Sequence, residues 1–344
     1  MAGGERAEGG RPRVGYLGPE GTFSEEALLA GVEEEAIEPV GLETFQDTLL
    51  ALRSGEVEWA ILPIENSLEG SVTAILDLLV EHGDEAMIVG EELLRVKHCL
   101  IAADELPLSQ ISHVLTHPQV PGQCRRFLRE RLPHASVLPA SSTADAVRVV
   151  CTEGEQGAAP GGEGAPPHRG AAAGRQAAGA HMHQAAPVAH RTAAIGTRLA
   201  AQIYGGVVLC ESIEDREDNL TRFVWLGRRG DSGRRSPPLR QSRLAGPLKA
   251  SLVFWGRGAD RPGWLVRCLD EFASRQINLT KIESRPQGGP LGQYMFFVDL
   301  EGDAAAPPAA NAISGLTALC ERVIVLGCYH AAIRPDAGGR SALT

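Results

Sequence analysis

Between a hydrophobic run, Trp59-Ala60-Ile61-Leu62, and a helical pattern starting at Val72, the sequence reads PIENSLEGSV, residues 63–72. A carboxylate, an amide and a hydroxyl stand side by side there as Glu65, Asn66 and Ser67. Together they can donate and accept hydrogen bonds and, where a carboxyl pKa is raised, move a proton. Polar clusters recur at comparable junctions. They are GPEGTFS (18–24) with Thr22, THPQVPGQC (116–124) with Thr116 and Gln123, SSTADA (141–146) with Ser142 and Thr143, and EDREDNLTRFVWL (214–226) with Asn219 and Thr221. Each sets hydroxyls, amides or free backbone N–H groups at a helix start or strand entry, which suits an anionic ligand. Each also has a purely structural reading: Thr22, Asn66, Ser67, Ser142 and Thr143 as helix caps, Glu65 in a surface pair, Asn219 in an Asx turn, Thr221 as an edge-strand threonine.

The elements around these junctions alternate. RVGYLG reads as a strand, and SEEALLAGV as a helix with Thr22 and Glu25 in capping-box spacing. TFQDTLLALRSG reads as a helix from a Thr44 cap to a Gly55 stop, and VEWAILPI as a buried strand. KHCLIAA and HVLTH read as strands, PGQCRRFLRERL as a helix, SVLPA as a short strand and TADAVRVV as a helix. That alternation predicts an α/β domain with a largely parallel or mixed sheet, whose ligands bind outside the carboxyl ends of the strands. Residues 152–191, rich in Ala, Gly, Pro, Arg and His, are expected to be a disordered insertion. His181, His183 and His190 are read as part of that low-complexity segment and not as a metal site. Residues 228–247 form a basic, Pro-containing linker. Beyond it the order of patterns is βαββαβ, the ferredoxin-like arrangement. Residues 1–12 and 336–344 are expected to be tails.

Bulk properties narrow the class. A 344-residue chain with formal net charge −10 argues against nucleic acid or an anionic membrane as the main partner. Seven scattered cysteines without a CxxC pair read as reduced thiols of a cytoplasmic protein. The opening MAGGERAEGGRPR has no apolar core of a secretory signal, and no apolar run reaches the roughly 18 residues of a membrane span. Gly15, Gly18 and Gly21 lack the spacing and the acidic partner of a dinucleotide loop.

In this order, GYLGPEGTFSEEA, AILPIENSLEGSV, THPQVPGQC, STADA and DNLTRF resemble the prephenate dehydratase family. PGWLVRCLDEFASRQINLTKIESRP resembles the ACT regulatory domain fused to that enzyme. The likeness covers residues 13–150, 192–227 and 248–334. It implies conversion of prephenate to phenylpyruvate, water and carbon dioxide in phenylalanine biosynthesis. The implied fold is a two-lobed, periplasmic-binding-protein-like catalytic domain over 13–227, with lobe crossings near 90–97 and 190–196, then an ACT domain over 248–335.

By the same resemblance Thr221 is essential for activity, with Asn66 beside it. Glu65 either supplies a proton or orients Asn66 or Thr221. Thr22, Ser67, Thr116, Gln123, Ser142, Thr143 and Asn219 are implied to bind substrate. Arg222 should point to the opposite strand face from Thr221. Gly263, Trp264 and Leu265 stand at the family's GAL position, with Trp where Ala is usual. Trp264 is expected either to fill part of the effector pocket or to pack outward. Asn278, Leu279 and the ESRP residues Glu283, Ser284, Arg285 and Pro286 complete the implied phenylalanine site. That site is implied to be shared between subunits of a homodimer or homotetramer. No metal or organic cofactor is implied, because aromatisation drives the reaction and no electrons are transferred. The alternatives are an arogenate dehydratase and a non-catalytic amino-acid-sensing protein.

Overall fold

The structure, a computed structural model, describes residues 10–153, 191–231, 236–256, 258, 261–288 and 292–333. The expected tail 336–344, residues 1–9 of the expected N-terminal tail, and residues 154–190 of the expected insertion, with its three histidines, lie outside the described residues. The described residues form two compact units, one made of the chain up to Val96 and from Glu217 on, the other Lys97–Arg216.

The first unit opens with β1 (Arg13–Leu17), α1 (Phe23–Gly31), β2 (Glu38–Leu42), α2 (Phe45–Ser54), β3 (Trp59–Asn66), β4 (Gly70–Ser71), α3 (Thr73–Glu81) and β5 (Ala86–Arg95). Thr22 caps α1 by accepting from the Glu25 amide, and the Glu25 carboxylate accepts at 2.5 Å from the amide of Gly21, the residue before the cap. Thr44 caps α2 in the same way, and Gly55 ends it in the left-handed region at φ 77°. β1 runs parallel to both β2 and β3.

The second unit contains β6 (Cys99–Ala102), β7 (His113–Thr116), α4 (Val120–Gln123), α5 (Arg125–Arg131), β8 (Ser136–Pro139), α6 (Thr143–Glu153), β9 (Thr192–Gly196), α7 (Arg198–Tyr204) and β10 (Val207–Cys210). Its sheet has the order β10-β6-β9-β7-β8. Ile101, Leu115, Val147 and Ala194 pack on one side of that sheet, and Leu100, Val114, Cys124 and Ile195 on the other. The chain leaves this unit after Arg216, later than the return expected near 190–196. The reason is pairing: β9 lies between β6 and β7, and β10 is added to β6, so both strands complete the second unit's sheet.

Back in the first unit are β11 (Leu220–Arg228), β12 (Leu248–Trp255), α8 (Trp264–Ala273), β13 (Leu279–Pro286), β14 (Tyr294–Glu301), α9 (Ala309–Leu319) and β15 (Arg322–His330). The ten-stranded sheet of this unit has the order β13-β14-β12-β15-β5-β11-β3-β1-β2, with β4 hydrogen-bonded to β3. Its first four members are the βαββαβ segment, in the strand order of a ferredoxin-like sheet. They join the rest where Gly327 pairs with Ile88, so close that a Cβ on residue 327 would collide with the Ile88 backbone. Of the two places expected for Trp264, the outward one is not taken. Its ring is buried between Phe254 (6.1 Å) and Phe296 (6.0 Å), and its Nε1 donates to the Leu319 carbonyl at 3.1 Å. A side chain of this size, at the inward position of an amphipathic helix, takes the core because that buries most apolar area.

The expected linker is held down where it is described. Arg240 donates from its amide to the Gly31 carbonyl at 2.9 Å and from Nε to the Val32 carbonyl at 2.8 Å, which satisfies the end of α1. Arg243 reaches 2.7 Å from Glu92, a carboxylate only 1% exposed in the middle of β5. Burial raises the Glu92 pKa to about 7, with Arg243 acting in the opposite direction. The folded chain therefore holds a proton on Glu92 at pH values where the unfolded chain has lost it. That stabilisation is complete below the ordinary value of 4.5 and is lost as pH rises through about 7. Glu92→Gln should flatten the stability profile between about pH 5 and pH 8, relative to a wild-type decline of up to about 3 kcal/mol. Urea unfolding at a series of pH values checks this, and parallel curves for the two proteins would refute it.

Candidate active site

Four strand ends meet at one edge of the first unit's sheet. β1 and β3 are parallel, β11 is antiparallel to β3, and β5 is antiparallel to β11. The loops after Leu17 and Asn66, the start of β11 and the end of β5 therefore share that edge. Thr22, Asn66, Ser67, Asn219 and Thr221 all belong to it.

Asn66 organises the group. Its Nδ2 donates to Asn219 Oδ1 at 2.8 Å and to Thr221 Oγ1 at 2.9 Å. Its Oδ1 accepts from the amides of Leu68 and Glu69 at 2.9 and 3.0 Å, an Asx turn that sets the loop. Ser67 ties the same loop to β11, accepting from the Leu220 amide at 3.0 Å and donating to the Asp218 carbonyl at 3.2 Å. Asn66 and Ser67 are thus turn and cross-link residues rather than helix caps. Asn219 is 1% exposed, whereas Thr221 is half-buried, on a strand paired on both sides. Because Thr221 Oγ1 accepts from Asn66, its own O–H is left to donate to another oxygen.

A bulge decides which side chains share a face. Arg222 pairs with Glu65 but Phe223 pairs with Pro63, so β3 carries one extra residue, Ile64, at that point. Such an insertion re-aims the side chains beyond it. Asn66 and Thr221 then share one face, while Glu65 and Arg222 share the other. Glu65 lies 2.9 Å from Lys281 and 3.6 Å from Arg222.

Arg222 is 9% exposed and makes contacts to three further groups: Glu91 at 2.7 Å, Asp299 at 2.6 Å and the Tyr329 hydroxyl at 2.7 Å. Burial opposes its charge, but Tyr329, Asp299 and Glu91 outweigh that and lift its pKa well above the ordinary arginine value. Burial drives the Tyr329 phenol upward. Ser251 bonds to both Asp299 and Tyr329, and Lys249 to Glu91 at 2.8 Å, so the cluster has few unsatisfied atoms. Arg222 points away from the Thr221 face, which the alternation of β11 requires.

β13 meets the same unit through alternate side chains. Lys281 and Glu283 both reach Ser71 of β4, and Lys281 is 3.3 Å from Glu283. Arg285 forms a two-point pair with Asp77 of α3, at 3.0 and 2.5 Å. Ser284 and Pro286 are exposed. Arg285 and Pro286 also line a cavity of about 620 Å³ with Asp77, Trp255 and Met295. Gly263 precedes α8 with φ 79°, Leu265 and Leu279 pack against the βαββαβ core, and the Asn278 carbonyl accepts from the Glu301 amide at 3.0 Å.

In the second unit, β7, β8 and β9 are mutually parallel neighbours, so the loops carrying Thr116, Ser142 and Thr143 leave one edge. Thr116 is buried and donates to the Ile195 carbonyl at 3.1 Å. Ser142 caps α6, accepting from the Asp145 amide at 3.0 Å, and Thr143 is the helix's first residue. Gln123 Oε1 lies 2.9 Å from Nε2 of buried His98, whose amide donates to Glu214 at 2.9 Å. Sequence reasoning missed His98 and Glu214. The available signal was a lone imidazole at the mouth of the apolar run CLIAA. Among the described residues no group of three or more His, Cys, Asp or Glu side chains is placed to hold a metal, and no helix is long and apolar enough to cross a membrane.

The model of the prephenate dehydratase family matches residues 14–165 and 167–231. The chain is 33% identical over 333 residues to a prephenate dehydratase of Mycolicibacterium vanbaalenii, covering 92% of this chain and 91% of the relative. It is similar to the crystal structure of prephenate dehydratase in complex with L-Phe from Arthrobacter aurescens, with TM-score 0.72 and 32% identity over 92% of this chain and 89% of that one. It is also similar to GqqA, described as a novel type of quorum quenching acylase, with TM-score 0.70 and 26% identity over 93% and 98% of the two chains.

Removing the guanidinium should be costly wherever the chemistry lies. Arg222→Met leaves Glu91 and Asp299 buried without their shared cation and should destabilise by about 3–5 kcal/mol. Adding Asp299→Asn should recover part of that loss. Urea unfolding of the single and double variants measures it, and a single-variant loss under about 0.5 kcal/mol would contradict the role assigned to the cluster.

Proposed function

The chain belongs to the prephenate dehydratase family, and from that membership we propose how its residues carry out the family's reaction. It converts prephenate to phenylpyruvate, carbon dioxide and water. In that step the ring carboxylate leaves as carbon dioxide, its bonding electrons enter the ring, and the ring hydroxyl departs with a proton as water. Aromatisation drives the change, so the catalyst's task is to stabilise the departing hydroxyl and orient the dianion.

Thr221 is the donor to the departing hydroxyl. The observation that carries this reading is the 2.9 Å bond from Asn66 Nδ2 into Thr221 Oγ1, which occupies a lone pair of the hydroxyl and leaves its O–H to donate. Asn219 holds Asn66, and Ser67 holds the loop. Thr22 and Ser142 support the first turns of α1 and α6, whose amides suit carboxylates. Within the second unit, Thr116, Gln123 and Thr143 are the residues that bind substrate oxygens. Of the two expectations for Glu65, its position beside Lys281 and Arg222 favours orienting Asn66 or Thr221 over supplying a proton.

The βαββαβ segment is an ACT domain that takes phenylalanine as feedback effector, through Gly263, Trp264, Leu265, Asn278, Leu279, Glu283, Ser284, Arg285 and Pro286. Support comes from the L-Phe in the similar Arthrobacter aurescens structure. Lys281 gives the effector a route to the chemistry, because it stands on the ESRP strand and pairs with Glu65, the residue before Asn66. Exposed Val266 and Ile282 suit burial against a second copy, in keeping with a homodimer or homotetramer. Seven free thiols fit a cytoplasmic enzyme. The arogenate and sensor alternatives are not favoured by these likenesses.

Phenylpyruvate formation tests the scheme. Thr221→Val should lower kcat by about 10²–10⁴-fold, and Thr221→Ser should restore much of it. Lys281→Met should keep kcat within about tenfold while weakening inhibition by phenylalanine, a coupling change of about 1–3 kcal/mol. A Thr221→Val enzyme as fast as wild type would remove the donor role, and unchanged inhibition in Lys281→Met would remove the route.

A further inference from the structure

We propose that Cys268 and Cys320 are a redox-active dithiol that hydrogen peroxide converts into an intrachain disulfide. The two sulfurs lie 3.8 Å apart, Cys268 in α8 and Cys320 at the C-cap of α9. They are 52 residues apart in sequence, so the tertiary fold alone brings them together. A disulfide requires the sulfurs to close to about 2.05 Å, a shift that side-chain rotation can supply from this separation.

Access and reactivity differ across the pair in a useful way. Cys268 is fully buried and Cys320 is half-buried, so peroxide arrives from the Cys320 side. The hydrogen bond from Cys320 lowers the Cys268 pKa, against its burial and with help from Arg267, while the same bond raises that of Cys320. The pair thus shares one proton and presents a single thiolate charge. Elsewhere burial pushes the thiols up, Cys151 to about 11 and Cys124 further. Those sulfurs are poor nucleophiles.

The chemistry balances with peroxide as the oxidant. The thiolate at Cys268 attacks one peroxide oxygen, the O–O bond breaks, and the hydroxide released takes the Cys320 proton to become water. Cys320 then attacks the Cys268 sulfur of the sulfenic acid, the S–O bond breaks, and the hydroxide that leaves takes a proton from solvent to become a second water. Two thiols lose two electrons and peroxide gains them. The backbone at Cys320 is held during this closure, since the Glu321 amide donates to the Trp255 carbonyl at 2.9 Å. The new bond would fasten α8 to the end of α9 beside Trp264, whose Nε1 already bonds to the Leu319 carbonyl.

The test uses the full chain without substrate or effector, so its outcome is separate from that of the proposed function. Protein is treated with hydrogen peroxide, free thiols are alkylated, and the digest is examined by mass spectrometry. The expected result is a peptide linked through Cys268 and Cys320 that dithiothreitol releases, with two thiols lost of the seven. Cys268→Ser should abolish the link, and Cys320→Ser should leave a sulfenic acid at Cys268 that dimedone captures when the oxidised protein is unfolded in its presence. Free thiols at both positions after other cysteines have oxidised, or a linkage to a different cysteine, would overturn the proposal. The wild-type digest decides the matter even if a variant fails to fold.

Discussion

Arg222 is the constraint around which the first unit is arranged. Its guanidinium leaves β11 and meets Glu91 of β5, Asp299 of β14 and Tyr329 of β15, so one buried cation ties four strands. An arginine can do this because five donors in a planar fork satisfy several acceptors at once, which an ammonium cannot. The low-dielectric surroundings make each missing partner expensive, so the strands must sit where the donors point. The sheet is continuous from the N-terminal strands to the βαββαβ strands for the same reason. The close pairing of Gly327 with Ile88, this ion cluster, the pairs from β13 to Glu65, Ser71 and Asp77, and a shared apolar core together span the seam.

The Ile64 bulge gives that scaffold its relation to the site. Regular alternation through β3 would send Asn66 to the side of Leu62 and Ile64. One extra residue instead puts Asn66 and Thr221 on one face and Glu65 and Arg222 on the other. Asn66 and Thr221 are thereby separated from the ion cluster, yet Thr221 and Arg222 are neighbours in one strand.

What could be read in advance was local. Thr22 with Glu25, Thr44 with Gly55 and the βαββαβ order all rest on contacts within a few residues or on periodicity. Harder to see was β5, AMIVGEELLR, because two adjacent glutamates in mid-strand look like a surface break. Glu91 and Glu92 are nevertheless 3% and 1% exposed, since Arg222 and Lys249 meet one and Arg243 meets the other. The 236–247 segment read as a linker for a related reason. Its arginines look solvated until the Gly31 and Val32 carbonyls and Glu92 are found to accept from or pair with them.

The sequence by itself determined the βαββαβ order, the Thr22 and Thr44 caps, the position of Thr221 at a strand entry and the resemblance that its motifs carry. Each of these depends on residue type and short spacing, which a single chain displays directly. The tertiary structure alone decided the partner of each charge, the inward turn of Trp264, the pairing of His98 with Gln123 and the approach of Cys268 to Cys320. Asn66 and Thr221 lie 155 residues apart, and Arg222 and Glu91 lie 131 apart. Contacts at such separations are selected by packing and by the cost of an unpaired buried group, and neither quantity exists until the sheet has formed.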